Sequence, residues 1–281
     1  AKVSNNTVVR YAEGTGLEAS NQEKLADAVA LAKQSDVVIL AVGEDADKTG
    51  EAASRTNIEL YPAQKELVKA IHSTGTPVVM VLMNGRPLAI EWSEANIPSI
   101  LNGWHLGTEA GNALADVMFG DYNPSGKLTM TVPRKTGQIP IFYNRKRISR
   151  PIDDTRYTSQ YVDSSNDPLY PFGYGLSYTN FSYSAIKLST DSINLNESLN
   201  ASVTVKNTGK RFGEEVVQLY VKDMVGSAVR PVMELKGFEK IALKAGESQE
   251  VSFTIDANDL AFYTRDMSFK AEPGDFALMI G

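Results

Sequence analysis

This sequence predicts an open α/β sheet sandwich followed by a small all-β sandwich. Two observations carry that expectation. Up to Phe119, near-continuous apolar runs such as Val37-Val38-Ile39-Leu40-Ala41-Val42 alternate three times with stretches whose apolar residues recur at helical spacing. After Ser182 the pattern changes to short runs alternating apolar and polar residues, as in Leu199-Ala201-Val203-Val205, separated by turn residues. Continuous β-branched runs ended by glycine suit parallel strands buried on both faces, whereas period-two alternation suits strands with one wet face.

The elements follow in order. Val8-Val9-Arg10-Tyr11 is strand-like, and Ser20 with Glu23 has the spacing of a capping box for a helix over Lys24 to Ser35. A strand over Asp36 to Val42 ends at Gly43, and Pro62 opens a second helix that Gly75 closes. A strand over Pro77 to Met83, a turn at Asn84-Gly85-Arg86-Pro87, a strand over Pro98 to Trp104 and a helix from Thr108 to Gly120 complete the set. From Asn123 to about Thr179 the periodicity fails, and a stretch this long reads as an ordered wrapping connection held by aromatic anchors. The strands beyond it, with turns at Asn207-Thr208-Gly209, Ala245-Gly246 and Glu272-Pro273-Gly274-Asp275 and no cysteine pair, suggest a fibronectin type III kind of sandwich. The expected boundaries are 1–134 for the α/β domain, 135–182 for the connection and 183–281 for the sandwich.

Composition narrows the function. A formal net charge of -6 and a pI near 5.1 argue against nucleic acid, because phosphate neutralisation needs a clustered basic surface. The basic group Arg145, Lys146, Arg147 and Arg150 is short and local. With no cysteine there is neither disulfide nor thiol catalysis, and no apolar run approaches the ~20 residues of a membrane helix. No signal-peptide pattern opens the chain, which is expected of a cytosolic protein or of a mature or truncated one.

Chemistry is expected in the loop after the first strand, because ligand-binding groups in open α/β sheets gather outside the carboxyl ends of the strands. That loop carries Glu44, Asp45, Asp47 and Glu51. Asp45, Asp47, Thr49 and Gly50 match the opening of a calcium loop, but the twelfth position is Thr56 where a bidentate Glu is needed. Gly43 stands alone, so there is no glycine-rich nucleotide loop, and two histidines without a thiol make no zinc constellation. His72 reads as a helix-surface residue. His105, beside Trp104 at a strand end, either lines a ligand subsite or packs there.

Several long motifs in this order, GEDADKTGEAASRTNIELYPAQKELV, VVMVLMNGRPL, GTEAGNALADVMFGDYNPSGKLTMTVPR, LYPFGYGLSYTNF and VKNTGKRFGEEVVQLYVKD with ELKGFEKIALKAGESQEVSF, resemble the C-terminal half of family 3 glycoside hydrolases. Bacterial periplasmic β-glucosidases are the nearest in look, and the resemblance runs from about Leu25 onward. It implies a retaining exo-acting β-glucosidase in which a barrel bears the nucleophilic Asp, an α/β sandwich supplies the acid/base Glu and a fibronectin-like domain follows. The barrel is absent from this sequence. Position alone favours Glu44, the carboxylate closest to the strand end, but counting back from Pro62 as the resemblance directs selects Glu51, with Glu44 as a supporting or structural carboxylate. Ser54 and Arg55 either position Glu51, touch a sugar hydroxyl, or cap and pair within the loop; His105 is the further candidate for a sugar subsite. The resemblance further implies no cofactor, β-glucosides or oligosaccharides as substrates, and a periplasmic or secreted location. With the barrel absent, the abrupt start near Val8 and the segment around Tyr170 to Tyr178 are expected to leave an apolar surface that binds a barrel partner or self-associates as a homodimer, and no activity is expected of this chain alone. The competing expectation is a non-catalytic sugar-binding or structural module, with Trp92 and Trp104 as stacking platforms.

Overall fold

A computed structural model describes residues 2–148, 150 and 157–281. The chain divides into two compact units. The first comprises Ala1–Asp121, Thr131–Ile141 and Asp163–Tyr170, and the second Tyr122–Met130, Phe142–Val162 and Pro171–Gly281.

Unit one is built on three parallel strands in the order β1 (Val38–Gly43), β2 (Val78–Met83), β3 (Ser99–Asn102). Helix α1 (Gln22–Ala32) precedes β1 and α2 (Pro62–His72) links β1 to β2. A short α3 (Glu91–Asn96) links β2 to β3, and α4 (Ala110–Phe119) follows and ends at Gly120 with φ 82°. Val38 to Gly43 pair in register with Val78 to Met83, so the two strands end side by side. Leu40, Val42, Met80, Val81 and Leu82 are buried, as are Ala63, Leu67, Val68 and Ile71 of α2. Proline at the first helical position gives α2 a preset φ without losing a bonded N–H.

Four details differ from the sequence reading. The strand β1 is not buried on both faces: it is an edge strand beside the central β2, and Ile39 and Ala41 are exposed. Its β-branched run therefore alternates in burial although it does not alternate in composition. The α1 cap is Asn21, whose side chain accepts from the Lys24 N–H, while the Ser20 hydroxyl donates to Glu66. Val8, Val9 and Tyr11 form no strand and are exposed. Helix α3 went unread because six residues give too little periodicity.

Unit two contains the sandwich. One sheet runs β12 (Phe276–Ile280), β7 (Gly213–Asp223), β8 (Glu234–Leu243), all antiparallel. In the other, β6 (Ser198–Asn207) pairs with β4 (Phe181–Tyr183), β5 (Lys187–Leu188) and β9 (Ser248–Asp256). Inward residues of both sheets meet in a core of Val203, Val205, Val217, Ile241, Leu243 and Val251, continued by Ala201, Leu219 and Ile255. A short α5 (Ala257–Leu260) and a hairpin of β10 (Phe262–Tyr263) and β11 (Phe269–Lys270) precede β12. At the turn read over Asn207 to Gly209, the fully buried Asn207 side chain donates to the Arg211 and Leu243 carbonyls and accepts from Thr179 and the Gly209 N–H.

Within 123–179 the backbone is irregular, and its polar groups need partners. Two buried or half-buried amides supply many of them. In unit one Gln138 accepts from the Arg134 and Lys135 N–H groups and donates to the Ser165 carbonyl. In unit two Asn123 accepts from Ser177 and the Tyr178 N–H and donates to the Phe212 carbonyl. Among the aromatic side chains of this stretch, Tyr143 stacks on Phe172 with ring centroids 4.2 Å apart.

Candidate active site

The loop after β1 leaves the sheet through Gly43, whose φ is 142° and where a Cβ would lie 1.7 Å from the Met83 carbonyl oxygen. Only glycine fits where two strand ends approach this closely. The Glu44 N–H then donates to that carbonyl at 2.8 Å, which fixes the first residue of the loop against the end of β2.

Glu44 turns inward, its side chain fully buried. Its carboxylate meets the Arg55 Nη1 at 2.8 Å and the Arg86 Nε at 3.0 Å, and accepts from the Gly85 N–H at 3.2 Å. A carboxylate removed from water is tolerable only when paired and hydrogen-bonded, and two guanidinium groups with a backbone donor meet that demand. Arg55 has further partners: Nη2 donates to the Glu59 carbonyl at 2.9 Å and the guanidinium lies 4.2 Å over the Tyr61 ring. Of the roles open to Arg55 in the sequence, these contacts are those of pairing and positioning within the loop.

The rest of the loop consists of two tight turns. The Lys48 N–H donates to the Asp45 carbonyl at 3.2 Å, and the Ala53 N–H to the Gly50 carbonyl at 3.3 Å. Glu51 and Ala52 are the two central residues of the second turn, and both are exposed. Ala52 has φ 59°, the left-handed value that the third position of some turns requires and that glycine or asparagine usually fills. Beside the turn lies an open cleft of about 550 Å³ lined by Glu44, Ala46, Thr49, Gly50, Gly85 and His105.

Thus the fold brings Glu44, Arg55 and His105 to one end of the sheet, with Glu51 on the neighbouring turn and Ser54 exposed just beyond it. His105 follows Trp104, another non-glycine residue with positive φ, at 50°. His72 sits half-buried, edge-on to Trp92 at 5.5 Å, and Lys69 lies 5.4 Å from the same indole, so Trp92 of α3 is engaged by two residues of α2. Sequence reasoning missed Arg86, taken only as part of a turn. Its position in Asn-Gly-Arg-Pro, directly after a strand whose last residue pairs with Gly43, is the available signal. Among the described residues no three His, Asp or Glu side chains converge as a metal site would require.

The model described as "Glycosyl hydrolase family 3 C-terminal domain" matches residues 1–178, and that described as "Fibronectin type III-like domain" matches residues 215–281. The chain belongs to glycosyl hydrolase family 3. Family 3 relatives align along nearly all of it: the periplasmic β-glucosidase of Salmonella typhimurium is 50% identical over 265 residues, covering 93% of this chain. A β-xylosidase of Formosa agariphila is 45% identical over 280 residues, covering 100%. The solved β-glucosidase from Listeria innocua, in complex with gluconolactone, superposes with a TM-score of 0.92 at 42% identity over 95% of the chain. The family 3 chain spans only 35% to 38% of these three proteins' lengths. The family assignment and the two sheet architectures agree with the sequence expectation of an α/β sandwich followed by a fibronectin-like one.

Proposed function

We propose that this chain is the C-terminal part of a retaining exo-acting β-glucosidase, supplying Glu51 as general acid and base to a barrel that bears an Asp nucleophile. The supporting observation is kinship over the whole chain with proteins named as β-glucosidases, joined to a loop that presents an exposed carboxylate at the carboxyl end of a parallel sheet. In a double displacement the nucleophile attacks the anomeric carbon while Glu51 protonates the leaving oxygen. The same carboxylate then takes a proton from the incoming water as the glycosyl–enzyme bond breaks. Such enzymes hold the two carboxyl groups only ~5 to 5.5 Å apart, and an exposed turn tip can reach that close to another domain. Glu44 is unsuited to this work, since its oxygens are committed to two arginines and a backbone N–H. Terminal β-linked glucose is the proposed glycone, and comparing kcat/KM on glucosides and xylosides tests it against xylose, since a β-xylosidase aligns equally completely. A periplasmic or secreted location follows from the same kinship.

The decisive experiment uses the complete enzyme. Glu51→Gln should slow phenyl β-glucoside about 10² to 10⁴-fold and 2,4-dinitrophenyl β-glucoside far less, because a good leaving group does not need the proton. Azide should accelerate Glu51→Ala, as an anionic acceptor needs no base. The same behaviour at Glu44 instead would move the role there, and its absence at both would place the acid/base outside this chain.

A further inference from the structure

Among the described residues no side chain holds the Glu51 carboxylate, so its place is set through the backbone of its turn. That backbone is held at both ends by one group. Arg86 Nη2 donates to the Lys48 carbonyl and to the Ala53 carbonyl, each at 2.8 Å, which are the residues flanking Thr49–Ala52 on either side. The Nε edge of the same guanidinium faces Glu44, which Arg55 and the Gly85 N–H fix in turn. We infer that Arg86 is the positioning residue for Glu51: it ties the two arms of the turn to the buried Glu44 and fixes where the tip carboxylate stands. This rests on the acid/base reading of Glu51.

The chemistry requires arginine. A planar guanidinium offers donors in fixed directions, so one edge can meet a carboxylate while another closes two carbonyls. A lysine keeps the charge that Glu44 needs but, as a point donor on a flexible stem, cannot hold all three. Within the clamped turn, Gly50 at φ 108° and Ala52 at φ 59° bracket Glu51 in left-handed backbone. Non-glycine residues persist in that region only when their surroundings over-determine them. The strain at Ala52 and the clamp by Arg86 are therefore two independent signs that this turn is held in one shape.

The test compares kcat/KM of Arg86→Lys, Ala52→Gly and Glu51→Gln in the complete enzyme on phenyl and 2,4-dinitrophenyl β-glucosides. Misplacing a catalytic group by about 1 Å can cost about 10²-fold, so Arg86→Lys should lose about that much on the phenyl substrate and little on the dinitrophenyl one. Ala52→Gly relieves backbone strain and so does not threaten folding; by loosening the turn it should show the same pattern with a smaller loss. A purely structural clamp would lower both substrates equally through the fraction of folded enzyme. Equal losses on the two substrates, or none, in both Arg86→Lys and Ala52→Gly would overturn the inference while Glu51→Gln keeps its leaving-group dependence. If Glu51→Gln lacks that dependence, the acid/base reading fails first and the inference with it.

Discussion

Glu44 shows how one residue can be chemically prominent in a sequence and mechanically committed in the fold. Its carboxylate is out of reach of water and satisfied by two arginines that are themselves 15% and 19% exposed. Glu44→Gln should cost about 3 to 5 kcal/mol of stability, the usual penalty for removing one partner from a buried charge cluster, read as a lower denaturant midpoint with unchanged slope. Glu51→Gln, on an exposed turn, should leave the midpoint within about 0.5 kcal/mol. What the sequence made legible here was the loop and its carboxylates. Position after the strand favours Glu44 and the count back from Pro62 that the resemblance directs selects Glu51, but the burial that sets the two apart, Glu44 inside and Glu51 exposed, is not legible from spacing. Arg86 was hidden for a related reason: its partners Lys48 and Ala53 are 38 and 33 positions away and offer carbonyls, which carry no side-chain signature.

Elements announce themselves by periodicity, and their margins by single hydrogen bonds. The helix α1 was legible from Leu25, Ala28 and Ala32, yet its first residue depended on which of two adjacent polar side chains bonds back. Asn21→Ala should therefore destabilise by about 1 kcal/mol, whereas Ser20→Ala, which loses an exposed contact with Glu66, should cost less. Thermal melts of both variants decide it. Strand β1 teaches the opposite lesson, since a fully apolar run does not say which neighbours will cover it. Leu40→Ala should cost about 2 to 5 kcal/mol through the cavity it leaves. Ile39→Thr in the same strand should stay within about 0.5 kcal/mol in this chain, because that side chain is 48% exposed. The sandwich strand β6 was easier to read, for there burial follows the same period of two as composition, whereas in β7 Val217, Gln218 and Leu219 are buried in succession.

For the whole molecule, alkali should be a more revealing stress than mild acid. Tyr183 is raised above the usual phenol range by burial first and then by Glu215, to which it donates at 3.0 Å. Tyr220 is pushed up to about 12 by burial first and then by Tyr143. Below pH ~10 both folded and unfolded chains keep these protons, so stability is whole. As pH rises beyond that, the unfolded chain releases them while the folded one does not, and stability falls through the window up to about 12 for Tyr220 and further for Tyr183. Denaturant midpoints measured from pH 9 upward should show this decline, and Tyr183→Phe and Tyr220→Phe should each flatten it. In a spectrophotometric titration Tyr183 and Tyr220 should ionise only with unfolding. The division of the chain into units of three segments each has a consequence of another kind. Because Tyr122–Met130 and Phe142–Val162 belong with the sandwich, while Thr131–Ile141 and Asp163–Tyr170 belong with the parallel sheet, no single breakpoint in the gene separates the two. A recombination event that joined this sandwich to a foreign sheet would have to inherit both early segments as well, or leave Leu128 without the Tyr174 and Gly173 backbone partners that it now holds. The two units are thus expected to be passed on together, as one heritable block.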